Sequence, residues 1–181
     1  MRKVIGFKLA LRPAEAKRRA KKARVDLGAH AAGRDDAALQ RFLDEAVSRM
    51  KPGVLFETFK HPDVDQPKLS PMPGLAYSLV LATLGTSEPT NEEEPLKKLI
   101  EGYALDECIR FATTILEDEA AKDSCELSPI TSLAEPDALE TAVAKLSGAK
   151  IGVSTAEGRL LPQSSTAVSL SWLSKTKAKK K

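Results

Sequence analysis

Aromatic residues and cysteines are scarce in this sequence of 181 residues. Five Phe, two Tyr and one Trp do not suggest the stacking platform with which many proteins hold single-stranded nucleic acid. The two cysteines, Cys108 and Cys125, lack the spacing of a metal-binding pair and fit a reducing cytoplasm better than a disulfide framework. Cys108 lies on an apolar helical stripe, and the carboxylate of Glu126 beside Cys125 disfavours a thiolate, so neither is predicted to be a nucleophile.

Histidines are equally few, and no glycine-rich phosphate-binding loop is present. His30 and His61 are far apart in the sequence and have no metal-ligand spacing to each other or to a cysteine. His61 precedes Asp63 and Asp65, but the proline-rich stretch 61–73 is predicted to be a solvated loop rather than a metal site. We therefore expect no catalytic residue, no bound metal and no independent catalytic activity.

Long apolar runs are also missing, so no segment is predicted to span a membrane. The apolar stretch 4–11 is interrupted by Lys8 and has no cleavage-like end, which argues against a signal peptide. These absences predict a soluble, cytoplasmic protein without a membrane partner. A chain of this length is most simply one domain with a substantial core.

The small net charge hides a strong asymmetry along the chain. Residues 1–24 carry ten Lys and Arg against the single Glu15, the tail 175–181 carries five Lys, and the body 25–174 is acidic. We therefore divide the chain into a basic N-terminal strand and helix (1–24), a main α+β domain (25–174) and a lysine-rich tail (175–181). The basic ends either bind an acidic surface or nucleic acid, or serve as solvated termini that aid solubility.

The hydrophobic pattern predicts an α+β fold, a mostly antiparallel sheet with helices packed on it. The segment from Ala167 to Leu173 alternates apolar and serine residues, which is typical of a strand. Pro136 is predicted to open a helix that ends at Gly148 in a left-handed conformation. Strands are predicted at 4–11, 54–60, 77–84, 151–155 and 167–173. Helices are predicted at 13–24, 36–50, 92–101, 104–122 and 136–147, with Gly102 separating the third from the fourth.

Several short stretches, in order and spacing, resemble the vitamin B12-dependent methionine synthase activation domain family over about residues 35–173. The C-terminal segment of that family is similar to three stretches of this chain. These are Ile151-Gly152-Val153-Ser154-Thr155, Leu160-Leu161-Pro162 and the strand from Ser165 to Leu170. Earlier in the chain, Ala82-Thr83-Leu84-Gly85 and Leu105-Asp106 resemble the end of a family strand and part of a family helix.

This resemblance implies a domain that binds S-adenosylmethionine and docks on a corrinoid-carrying domain. In that family, cobalamin that has slipped to the Co(II) state is reduced and remethylated there, and the cobalt performs the methyl-transfer chemistry. The expected partner of this chain is accordingly a corrinoid protein or a methyltransferase, and cobalamin would reach it only through that partner.

In that family the ligand-binding loop has a pattern similar to Arg-x-Ser-Pro-Gly-Tyr-Gly-Asp. The corresponding stretch of this chain, residues 126–133, departs from that pattern. Only Ser128 and Pro129 match. Glu126 stands in place of the Arg that would pair with the carboxylate of the ligand, and Ile130 and Thr131 stand in place of the Gly-Tyr pair. We therefore expect a divergent cobalamin-reactivation-type module in which S-adenosylmethionine binding is weakened or lost. The alternative is a nucleic-acid-associated protein that binds through its basic termini.

Overall fold

The computed structural model describes residues 1–27, 35–70, 72, 74–85 and 94–175. His30, the rest of residues 28–34, residues 86–91, the start of the helix predicted at 92 and the lysine tail from residue 176 lie outside these ranges. The described strands are Arg2–Ile5 (β1), Gly53–Lys60 (β2), Ala76–Thr83 (β3), Cys125–Leu127 (β4), Thr131–Ser132 (β5), Ser154–Ala156 (β6), Arg159–Leu161 (β7) and Ser165–Ser174 (β8). The described helices are Pro13–Ala23 (α1), Asp36–Ser48 (α2), Gln66–Leu69 (α3), Glu94–Lys122 (α4) and Pro136–Lys145 (α5).

The predicted α+β fold with an antiparallel sheet is confirmed. The main sheet has the order β1-β2-β3-β8-β4, with β5 also paired to β8, and the described pairings are antiparallel. The strand predicted at 77–84 is the central strand β3, which is buried along its whole length, as its continuous apolar run indicates. Its partner β8 contains the strand predicted at 167–173, with Ala76 opposite Trp172 and Thr83 opposite Ser165.

Both faces of the sheet are covered, and alternation along the strands divides the core into two layers. The first face carries Val54, Phe56, Val80, Leu170 and Trp172, which pack against apolar residues of α1, α2 and α4. The second face carries Leu55, Tyr77, Leu79, Leu81 and Ala167, which pack against α3, α5 and the β6–β7 hairpin. The serine side of β8, predicted to form a polar face, is therefore as buried as its apolar side.

The N-terminal segment belongs to the same sheet and core. β1 pairs with β2, while α1 buries only Ala16 and Ala20, as expected for a helix whose apolar residues are alanines. The strand predicted over 4–11 is wrong, because β1 ends at Ile5. Gly6 has a φ of 66° and donates its N–H to the carbonyl of Pro52, which turns the chain away from the sheet.

The predicted break at Gly102 is also wrong. α4 runs through this glycine without interruption. A glycine inside a helix costs about 1 kcal/mol relative to Ala. Burial of Ile100, Tyr103 and Ala104 on either side of it offsets that cost, since an apolar side chain contributes about 1.5–3 kcal/mol when it is fully buried.

The segment after α5 corrects two further predictions. Ser147, not Gly148, has the left-handed conformation, with a φ of 52°. Gly148 is needed for close packing, because a Cβ there would lie 2.7 Å from the Val153 carbonyl oxygen. It begins a 3-10 helix, Gly148–Ile151, so the strand predicted at 151–155 is reduced to β6. β6 pairs with β7 in a separate hairpin that turns at Glu157-Gly158, outside the main sheet.

Candidate functional site

The five residues predicted from the family loop lie together beside β8, at the edge of the sheet. Glu126 belongs to β4, opposite Leu173, and its side chain is exposed. Ser128 is buried and binds β8 twice: its N–H donates to the Ser171 carbonyl at 2.8 Å, and its Oγ accepts from the Ser171 N–H at 2.9 Å. The Ser128 hydroxyl also donates to the Pro129 carbonyl at 3.0 Å. These bonds hold the Ser-Pro turn in one position.

The rest of this loop faces outward. Pro129 is exposed, Ile130 is 49% exposed, and Thr131 is half-buried in β5 opposite Ser169. The loop therefore presents an apolar side chain and, from β4, a carboxylate. Neither provides the positively charged fork that pairs with an amino-acid carboxylate.

Ser171 extends this site across the second face. Its hydroxyl donates to the Met72 carbonyl at 2.8 Å and shares a hydrogen bond of 2.8 Å with the hydroxyl of Ser70. The register places Ser171 directly opposite Tyr77 on β3, so both side chains lie on the same face. Ser128, Ser171 and Tyr77 thus form a continuous polar row that crosses the buried sheet.

The row continues into an ion-pair cluster that the sequence analysis missed. Lys145, the last residue of α5, places its Nζ 3.0 Å from Asp63 Oδ2 and 2.8 Å from Asp65 Oδ2. The Lys145 and Asp63 side chains are only 19% and 14% exposed, and the ammonium lies 4.9 Å from the centre of the Phe59 ring. The cation at the end of α5 also complements the negative pole of the helix.

The charges of this cluster reinforce each other. Burial alone would raise the pKa of Asp63, but the backbone N–H of Asp65 and the Lys145 ammonium hold that pKa below its usual range. Burial alone would lower the pKa of Lys145, but hydrogen bonds with Asp65 and Asp63 outweigh it, so this pKa lies above its usual range. The loop predicted to be solvated therefore holds fixed charges in a partly buried position.

Unpaired polar atoms concentrate on this face. In the described part of the chain, four buried side-chain polar atoms have no hydrogen-bond partner: His61 Nε2, Tyr77 Oη, Thr113 Oγ1 and Ser169 Oγ. Tyr77 and Ser169 belong to the second face, and the His61 ring lies 6.3 Å from the Tyr77 ring, centre to centre. Burial raises the pKa of Tyr77 to about 12, so its hydroxyl keeps its proton at physiological pH.

The described residues contain no group of three or more His, Cys, Asp or Glu side chains that could hold a metal. Cys108 is fully buried, as predicted, and burial raises the pKa of its thiol to about 12. Cys125, predicted to lie in a loop, instead begins β4 and is also buried, because its side chain joins the first-face core.

The sequence predicted the loop with the Ser-Pro turn as part of this site, but not Tyr77, Lys145 and Asp63. The Ser-Pro turn could be found because a family motif contains it. Tyr77, Lys145 and Asp63 lie more than ten residues apart in the sequence, and only strand pairing and the packing of α5 bring them to one face. The alternation of serines in β8 was the one available signal for the polar row.

Comparison with known proteins adds no assignment to this geometry. No protein-family model matches the sequence, and no curated protein matches it. Within the described ranges, no helix has the length and apolar character needed to cross a membrane.

Proposed function

We propose that this protein is a divergent module of the cobalamin-reactivation type, which docks on a corrinoid protein or methyltransferase through the end of β8. The observation that carries the proposal is a group of exposed apolar side chains on segments bound to that end. Ile130 is 49% exposed, Leu75 is 61% exposed and Met72 is 42% exposed. Exposed apolar side chains on segments that meet one strand end favour a protein-interaction surface there.

The backbone beneath this group is held rigidly. Leu75 donates its N–H to the Trp172 carbonyl at 2.8 Å, and the Met72 carbonyl accepts the Ser171 hydroxyl at 2.8 Å. Ser128 holds the Ile130 loop on Ser171 of β8 through two hydrogen bonds. A surface fixed in advance loses little conformational entropy on binding, which favours docking.

The same loop supports the proposed weakening of S-adenosylmethionine binding. A ligand carboxylate in this position would meet the exposed Glu126 side chain, a charge of the same sign, and would lack a bidentate Arg partner. The proposed role is therefore docking without independent catalysis, with any methyl transfer carried out on the partner's cobalt.

Binding to a cobalamin-loaded corrinoid domain tests this proposal. We expect the unmodified protein to bind, and Ile130→Asp to weaken binding by at least ~10-fold, because it places a charge in an apolar contact. Leu161→Asp is the matched control, since Leu161 is 42% exposed on the β6–β7 hairpin and lies away from the end of β8. Equal effects of the two substitutions, or no binding by the unmodified protein, would contradict the proposal.

Nucleic-acid binding remains a second candidate because of one feature of α1. Lys17, Arg18 and Arg19 form ion pairs with Asp36, Glu15 and Asp106, respectively. Lys21 and Lys22, by contrast, are exposed on the last turn and make no ion pair with any described residue. We expect only weak, steeply salt-dependent binding to DNA. This candidate would be favoured instead if the protein bound DNA tightly at physiological salt and the double substitution Lys21→Gln with Lys22→Gln abolished that binding.

A further inference from the structure

A groove lies at the opposite edge of the sheet from the Ser128 loop. It forms where β1 ends and β2 begins, between the C-terminal end of α2 and the 3-10 helix at 148–151. Its volume is about 580 Å³. Ligand-binding clefts typically have volumes of about 300–1,000 Å³. We call it the lysine groove, after the residues Lys8, Lys51 and Lys150 that line it together with Ile5, Phe7 and Met50.

The floor of the lysine groove is apolar. Phe7 and Met50 are half-buried and pack against the first-face core. Ile5 is 61% exposed at the rim, which leaves a β-branched side chain in water beside that floor. A large apolar side chain from a partner could cover Ile5 and occupy the groove at once.

The rim of the lysine groove is positively charged. Lys8, Lys51 and Lys150 are exposed, and none of the described residues forms an ion pair with them. The Lys150 ammonium lies 3.9 Å from the thioether of Met1. Two of the lysines have fixed backbones, since the Lys51 N–H donates to the Leu84 carbonyl and the Lys150 N–H donates to the Ser147 carbonyl. No acidic residue is among the described residues that line the groove.

We propose that the lysine groove binds an acidic peptide segment of a partner protein that carries a large apolar side chain between its carboxylates. Three ammonium groups around an apolar floor complement that pattern in both charge and polarity. The exposed rim favours a peptide over a free fatty acid, because small ligands bury most of their surface in enclosed pockets, whereas a peptide remains partly solvated. This surface is distinct from the β8 docking surface, so one partner could contact both edges, or two partners could bind together.

Fluorescence anisotropy with a labelled peptide, Asp-Glu-Leu-Phe-Glu-Asp, tests this proposal. The full chain should bind the peptide. The triple substitution Lys8→Gln, Lys51→Gln and Lys150→Gln should weaken binding by about 30-fold, which is about 2 kcal/mol. The single change Ile5→Glu, at a position that is 61% exposed, should weaken binding by at least ~10-fold because it adds a negative charge that repels the acidic peptide.

The matched control removes the same charge elsewhere. Lys60, Lys68 and Lys122 are exposed residues outside the lysine groove, so Lys60→Gln with Lys68→Gln and Lys122→Gln should leave affinity within about threefold. An equal loss in the two triple variants would overturn the proposal, since binding would then follow overall charge. A peptide with serines in place of its Leu and Phe should bind at least ~10-fold more weakly, and equal binding would also overturn it.

Two further outcomes would replace the proposed occupant. Binding of dodecanoate without binding of the peptide would identify an anionic amphiphile as the ligand. Self-association of the unmodified chain in sedimentation, abolished by the groove triple variant, would identify a second copy of this chain. Either result would overturn the assignment of an acidic peptide.

Discussion

On the first face of the sheet, the buried serine of β3 is fully hydrogen-bonded, whereas on the second face two buried hydroxyls, those of Tyr77 and Ser169, make no well-formed hydrogen bond. Ser78 on the first face accepts a hydrogen bond of 2.7 Å from the Trp172 indole and shares another with Thr58. Tyr77 and Ser169 on the second face are just as buried, yet neither hydroxyl makes a well-formed hydrogen bond, although that of Tyr77 lies near Asp63 and Lys145. Strands β3 and β8 contribute to both faces, so the difference arises from the side chains and from what covers them.

This contrast separates stability from binding. An unpaired buried polar group costs about 1–3 kcal/mol, so a face selected only for stability would carry apolar residues there. Natural domains depart from such rules mainly at functional sites. The polar row joins the Ser128 loop, which carries the proposed docking surface. We therefore expect the first face to contribute most of the stability, and the proposed β8 docking role falls to the second face.

The largest effect is expected in the first-face core. Leu116 in α4 is 1% exposed, and Leu116→Ala should lower the free energy of unfolding by about 2–5 kcal/mol through lost burial and a residual cavity. Denaturant titration measures this directly. Leu161→Ala, at a 42% exposed position, should cost under about 1 kcal/mol. A similar cost at both positions would show that burial of Leu116 in the first-face core does not contribute to stability.

A comparable effect is expected for ligand binding by the second-face loop. Without the charge-assisted bond of an Arg, S-adenosylmethionine should bind at least ~100-fold more weakly than to a loop that has it, at about 1.4 kcal/mol per tenfold. Calorimetric titration should detect weak binding or none. Replacing Glu126→Arg, Ile130→Gly and Thr131→Tyr together should improve binding. Micromolar binding by the unmodified protein would show that another group replaces the Arg.

An intermediate effect is expected at the ion-pair cluster. Lys145→Met leaves Asp63 partly buried without its cation, and should cost about 1–3 kcal/mol at neutral pH. The exposed Lys60→Met is the control and should stay within about 0.5 kcal/mol. Chemical denaturation of both variants across pH checks the prediction.

The stability lost in Lys145→Met should depend on pH because the pKa values of Asp63 and Lys145 are both shifted in the folded protein. The lowered pKa of Asp63 stabilises the fold above its unfolded value of 3.8, and this stabilisation is lost as pH falls through the folded pKa. The raised pKa of Lys145 stabilises the fold below its unfolded value of 10.5, and this is lost as pH rises through the folded pKa. The difference between Lys145→Met and the unmodified protein should therefore be greatest between these limits and shrink in acid. A difference that is constant down to pH 2 would contradict an ionic origin.

Local pattern predicted much of the fold but little of the second face. The sequence predicted the apolar run of β3, the alternation in β8 and the helix that begins at Pro136. Each could be predicted because buried positions recur with the period of the strand or helix. The continuity of α4 through Gly102 was not predicted, because packing on either side overrides local propensity. The pairing of Lys145 with Asp63 and the burial of Tyr77 depend on long-range packing, which no local pattern records.

The smallest expected effect tests the contrast between the faces most directly. Tyr77→Phe removes only the buried hydroxyl, which makes no well-formed hydrogen bond although Asp63 and Lys145 lie near it, and keeps the ring against Phe59, whose centre lies 5.4 Å away. If the second face is polar for binding rather than for stability, the free energy of unfolding should be unchanged or should rise by up to about 1 kcal/mol. A loss of more than about 1 kcal/mol would show that the hydroxyl stabilises the fold, and would contradict the division between the two faces.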